Sequence, residues 1–234
     1  MINLHAQYSF MEVKIYKAKV VQELQAFYAD IIQSRESYNS IKDHLSAFAL
    51  KMYEGVNSNN KSQFTELNNY HPKYIGKTVD ELIDVSISKE DCFECVAYQR
   101  GFKNWNECST LTNIPYNHSF ELAVELLLNG QIDLLKDQLK KEPELIAYKS
   151  QFGHQATLLL YSASNGVELY RQQVPSNLEQ IIEILLNTGA DLNSKMKVYG
   201  GEFDTFSLFT TSAHPYKAGI GKRIENMLKR KMST

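Results

Sequence analysis

The strongest constraint on this chain is where its glycines interrupt it. Thr157-Leu158-Leu159-Leu160-Tyr161-Ser162-Ala163-Ser164-Asn165-Gly166 is an apolar block that contains small residues and ends in a glycine. A second helical pattern follows, with Leu178, Ile181, Ile182, Leu185 and Leu186 forming one apolar stripe, and it runs into Gly189-Ala190-Asp191. Glycine closes a helix because it enters the left-handed region without a steric cost at Cβ. Two short helices punctuated in this way make a single layer. Such a layer does not bury its own apolar face, so it requires a neighbour on each side.

The neighbours can be found by aligning glycine stops. Glu121 to Gly130 fills the same ten places, and Gln131 to Leu139 supplies the helix after it. Asp204 to Thr211 begins a third unit, completed by a helix from Gly219 to Met232. The spacing therefore predicts three units, 119–150, 153–193 and 200–234. Ser176-Asn177-Leu178-Glu179 has the form of a capping box for the second helix of the middle unit. Two insertions separate the helices within their units, Val167–Pro175 in the second and Ala213–Ala218 in the third. Both are expected to project from the same side, next to each other.

The block Thr157–Gly166 resembles the T-P-L-H-x-A signature of ankyrin repeats, followed by its glycine turn. The signature is degraded: its Thr survives only as Thr157, and its His position holds Val124, Leu160 and Ser207. A bacterial-type subgroup is similar to several further segments. These are His154-x-Ala156-Thr157-Leu158-Leu159, Asn165-Gly166-Val167-Glu168, Tyr199-Gly200-Gly201 and Ser212-x-His214-Pro215, preceded by Tyr98-Gln-Arg-Gly-Phe-Lys-Asn-Trp105. The resemblance covers roughly residues 60–234, is strongest from 119 onward, and does not explain the first sixty residues. It implies an all-α fold, a short ankyrin-repeat solenoid with β-turn fingers preceded by an α-helical region. It also implies a role in binding other proteins.

The N-terminal half reads as helix throughout. One amphipathic helix is expected from Phe10 to about Ile32, and a second from Tyr38 to Tyr53 with a stop at Gly55. Asn60 with Gln63 is read as the cap of a short helix that ends before His71-Pro72. Thr78–Glu81 and Ser88–Asp91 are capping boxes for helices near 79–85 and 89–100, the latter stopped by Gly101. Asn104–Glu107 reads as a helical turn with Trp105 packed. Ile114–His118 is the linker, dividing the chain into a helical region, 1–113, and a repeat domain, 114–234. Leu45–Tyr74 echoes Leu122–Leu145 and can be read as one degenerate extra repeat.

Composition narrows the function. A net charge of −2 over 234 residues gives no bulk attraction to nucleic acid or anionic membranes. No window approaches the roughly 18 apolar residues of a spanning helix, and the start lacks a signal-peptide pattern. Three cysteines are too few for a disulfide framework, so a cytoplasmic protein is expected. Cys92-x-x-Cys95 lies within a capped helix with neither a second pair nor a preceding strand, so packing is expected rather than a metal or redox centre. The basic residues from Lys222 to Lys231 suit a solvated end cap. No nucleophile–base order, phosphate loop or paired-carboxylate spacing points to catalysis, and no cofactor or metal is expected.

Two functional readings result. In the first, a protein partner binds the concave face and the fingers near 148–155 and 193–204, with Tyr148, Phe152, His154, Met196, Tyr199 and Phe203 as contact residues, because apolar and aromatic groups are enriched at interface centres. In the second, the two insertions form a cleft with Asn165, Glu168, Tyr170, Arg171 and His214 for a small polar ligand or a hydrolytic reaction. Convergence of His154, Glu168, Tyr199 and His214 in one cleft separates the second from the first.

Overall fold

A computed structural model describes residues 13–198 and 200–233. They are mainly helical. Strand β1 (Ile15–Lys17) leads into α1 (Lys19–Phe27), α2 (Ala29–Gln33), α3 (Ile41–Asn57), α4 (Lys61–Tyr70), α5 (Val79–Ile83), α6 (Lys89–Gln99) and α7 (Trp105–Leu111). The second half holds α8 (His118–Leu128), α9 (Ile132–Lys141), α10 (Leu158–Ser164), β2 (Gln173–Pro175) and α11 (Leu178–Asn187). It ends with the hairpin β3 (Lys195–Val198) and β4 (Gly201–Asp204), then α12 (Thr205–Thr211), α13 (His214–Lys217) and α14 (Gly221–Met232).

Short-range polar signals set the helix starts. Thr78 and Ser88 each accept from the backbone three residues on, and Glu81 and Asp91 return the bond, so both capping boxes form. Asn104, Asn117, Thr157 and Asp204 cap α7, α8, α10 and α12 through their side chains. The expected helix pairs are present: α8 packs on α9, α10 on α11, and α12 on α14, while α10 lies between α8 and α12. Their apolar faces form one core around Leu127, Leu159, Ile182, Phe209 and Leu228. A second core gathers α1 to α7 around Phe48, Phe64, Tyr74 and Cys95, and takes in Phe152, Leu169 and Tyr170 from the other half.

Several expectations are corrected. The single helix from Phe10 to Ile32 is replaced, within the described residues, by β1, α1 and α2, because Ile15–Lys17 pair antiparallel with Gln173–Pro175. Residues 10–12 lie outside the described residues. Gly55 does not stop α3; it sits inside the helix where a Cβ would come within 2.8 Å of the Phe27 ring, so it is there for close packing. Asn60 caps α4 through Ser62, while Gln63 instead accepts from Tyr28 at 2.6 Å. The Ser176 capping box does not form. Asn177 takes the cap position and donates to the Gly130 carbonyl at 2.8 Å, and the Ser176 N–H is spent on Lys14. Asn165, not Gly166, is the left-handed end of α10. Gly166 follows at φ +93°, where a Cβ would press on the Arg171 carbonyl.

The insertion 167–175 does not project. All of it is buried except half-buried Gln172, and it supplies β2 and a 3₁₀ turn at Leu169–Arg171 that packs on α1. The second insertion becomes α13, which does lie against β2.

Candidate functional site

The turn at 150–155 lies in the first of the two segments expected to act as fingers, and the N-terminal helices sit on it. Gly101, held at φ +76°, brings the end of α6 so close that a Cβ there would come within 2.7 Å of His154 Cα. The His154 N–H donates to the Arg100 carbonyl at 3.0 Å. Gln151 accepts from Asn117 N at 2.7 Å and donates to the Pro115 carbonyl at 3.0 Å. Phe152 is buried beneath the fully buried Arg100 guanidinium, 5.8 Å from its ring centre. This finger is an internal joint.

Behind it lies a largely buried charge cluster. Glu168 Oε1 stands 3.7 Å from His154 Nε2 and 3.4 Å from the Tyr161 hydroxyl, with both side chains of the His–Glu pair fully buried. Ala156 N–H donates to His154 Nδ1 at 3.0 Å, which leaves Nε2 toward the carboxylate. Arg171 Nη2 bonds Glu121 at 2.6 Å and Glu125 at 3.0 Å, its Nη1 faces Glu168 at 3.6 Å, and Arg35 reaches the same two glutamates at 3.3 and 3.4 Å. Burial acts to raise the Glu168 pKa, but Arg171, His154 and Arg100 outweigh it and hold the carboxyl well below the usual range. The anion is thus fixed and water-excluded. The cluster ties β2 and the turn at 150–155 to α8, with the His154–Glu168 pair enclosed at its inner end and Glu125 and Arg35 partly exposed at its outer end.

Open space lies further along, around the second hairpin. One cleft of about 610 Å³ runs between α4, the end of α6 and the hairpin, walled by Tyr70, Pro72, Ile75, Tyr98, Phe102 and Val198. Lys103, Lys197 and Glu202 stand on it. A second, about 440 Å³, lies on the other side, with Met196, Phe203, Leu208 and His214. Val167 and Val198 line both. A smaller hollow of about 180 Å³ beside β1 holds Lys17, Gln25, Glu125 and Arg171.

The expected site residues separate into distinct places. Phe152 and His154 are buried and offer no face to a partner, because each fills a joint, while Met196, buried in the core, lines the second cleft from within. Tyr148 is half-buried against Phe120, 5.0 Å between ring centres, and Phe203 is half-buried beside the hairpin. Tyr199 lies outside the described residues. Of the cleft set, Glu168 and Arg171 meet in the charge cluster, and Tyr170 stacks on Phe48 at 5.2 Å with its hydroxyl pKa pushed up to about 12 by burial. Asn165 is buried and accepts from Ser212 at 3.0 Å. His214 stands apart in the second cleft, edge-on to Tyr16 at 6.1 Å. His154 and Glu168 therefore converge, but not in an open cleft and not with His214.

Cys92, Cys95 and Cys108 are buried free thiols. Burial pushes Cys92 and Cys108 up to about 12, so both stay protonated. Among the described residues no group of three or more His, Cys, Asp or Glu is placed to hold a metal ion, and no helix is long and apolar enough to cross a membrane. The basic end helix is partly paired: Lys222 and Lys229 share Glu225 at 3.1 and 2.7 Å, and Arg223 pairs with Glu179.

The walls of the larger cleft escaped the sequence. Tyr98 and Phe102 stood in a segment noted only for its resemblance, and Pro72 was read as a helix stop. The available signal was Ile75 beside Gly76, a large apolar residue in a turn outside the helical patterns, and the structure leaves it 59% exposed. No known family model matches this chain, and neither a curated protein nor a solved structure matches it.

Proposed function

We propose that the chain is a non-catalytic recognition module of the ankyrin-repeat kind, which binds a partner protein at the hairpin β3–β4 and the clefts beside it. The order of short helix pairs, with extended turns between them, supports the ankyrin reading. The observation that carries the site is the contrast between the two fingers. The first is buried under the N-terminal helices, while the second has an apolar cleft on each flank. Apolar and aromatic walls in a concave site are what an interface centre uses. Three buried free thiols fit a reducing cytoplasm. The His154–Glu168 pair would favour a hydrolytic reading, but a pair with no solvent access meets no substrate.

Photo-crosslinking tests this. A benzophenone amino acid at exposed Glu202 should capture a discrete protein from cells, while the same group at exposed Lys136, on helix α9, which lines neither cleft, should not. Ile75→Asp should abolish the adduct. Identical adducts at both positions would overturn the assignment.

A further inference from the structure

We propose that the larger cleft recognises the free C-terminal end of a partner chain, with apolar side chains in the cleft and the terminal carboxylate on Lys103 and Lys197. This rests on the hairpin being the recognition site. Three observations point to it together.

The first is chemistry. Tyr70, Tyr98, Phe102 and Val198 give the cleft apolar walls, and its volume of about 610 Å³ suits a few side chains rather than a whole helix. The second is charge. Lys103 and Lys197 are exposed, stand on the cleft and have no ion-pair partner among the described residues. Glu202 opposes them, leaving one net positive charge at the mouth. A single carboxylate answers that balance.

The third is the main chain, which favours a peptide over a fatty acid. The Lys197 N–H donates to the His154 carbonyl at 3.0 Å, on the side of β3 away from β4. Lys197 pairs with Glu202 across the hairpin, so this pair is one whose backbone groups point outward. The Glu202 N–H and C=O are therefore turned to the free side of β4, and Glu202 itself lines the cleft. An extended peptide end can bond to them, as strands do when they add to an exposed edge. A fatty acid has no group to use there.

The test uses the full chain, immobilised, and a pool of pentapeptides whose last three positions are drawn from Leu, Ile, Val, Phe and Tyr. One pool has free C-termini and an otherwise identical pool is amidated. The free-carboxylate pool should be enriched about tenfold over the amidated pool in low salt. Lys103→Gln with Lys197→Gln should erase that preference, and Ile75→Asp, a change at an exposed position that leaves the core intact, should remove binding of both pools. Equal retention of the two pools overturns the carboxylate assignment. Failure of both pools, or tighter binding of dodecanoate than of any peptide, overturns the peptide assignment. A Glu202 crosslink that persists in either case shows that the hairpin still recognises a protein and that only this inference has failed.

Discussion

Arg171→Met removes the hub of the charge cluster while keeping most of the side-chain volume. In the native protein its guanidinium meets Glu121 at 2.6 Å, Glu125 at 3.0 Å and Glu168 at 3.6 Å, with Arg171 itself 5% exposed. Removing one member of a buried ion pair costs about 3–5 kcal/mol, because the remaining charge is left in a low-dielectric site. Arg35 remains 3.3 Å from Glu121, and His154 remains 3.7 Å from Glu168, so the loss should fall near the lower end, about 3 kcal/mol. Urea unfolding at pH 7 measures it. The pH dependence gives a second check. In the native protein Glu168 is held below its unfolded value of about 4.3, so its contribution is present above that pH and lost as the pH falls. Without Arg171, burial becomes the larger influence and raises that pKa, so the sign inverts. The deficit of the variant should therefore shrink as the pH drops from 7 toward 5. Adding Glu168→Gln should return part of the loss. A cost under about 1 kcal/mol, or a deficit that does not change with pH, would refute the view that the arginine compensates a buried anion.

Two further outcomes follow from local geometry. Gly101→Ala and Gly189→Ala both place a Cβ at positive φ, +76° and +103°, but space is open at Gly189 and blocked by the His154 backbone at Gly101. The Gly189 change should cost about 1–2 kcal/mol and the Gly101 change clearly more, read as midpoints of urea unfolding; equal costs would remove the close approach as the cause. His44, bonded to Tyr116 at 2.8 Å and the Ile31 carbonyl at 3.0 Å, has its pKa lowered by burial to about 3. Its folded value lies below the unfolded 6.5, so stability is lost as the pH falls from about 6.5 toward 3, and His44→Gln should flatten that slope between pH 6 and 4.

What the sequence disclosed was mostly local. A Thr with a Glu three residues on, or a Ser with an Asp, carries its bonding partner within one turn, and both such helix starts appear where expected. Gly189 and Gly130 mark positive φ for the same reason. Val13 to Lys17 was misread because its partner strand lies far along the chain, and a short apolar stretch alone does not distinguish strand from helix. Arg100 and Arg171 were invisible as core residues, since charge normally signals surface and only the assembled carboxylates and aromatic rings explain their burial. The cleft walls come from three segments, so no spacing rule links Ile75, Tyr98 and Val198.

The pairing of β1 with β2 has a consequence for how the molecule is made. A stack of helix pairs can ordinarily grow from any unit, each docking on the one before it. Here the strand at Ile15–Lys17 leaves the ribosome first and waits for Gln173–Pro175, about 160 residues later. At about 5–20 residues per second that delay is roughly eight to thirty seconds. During it the apolar face of α1, with Val21 and Leu24, lacks the 3₁₀ turn at Leu169–Arg171 that covers it. The later segment closes on the earlier one as a clasp, so its arrival decides whether the helices made before it stay folded, and the two cores should unfold in one transition.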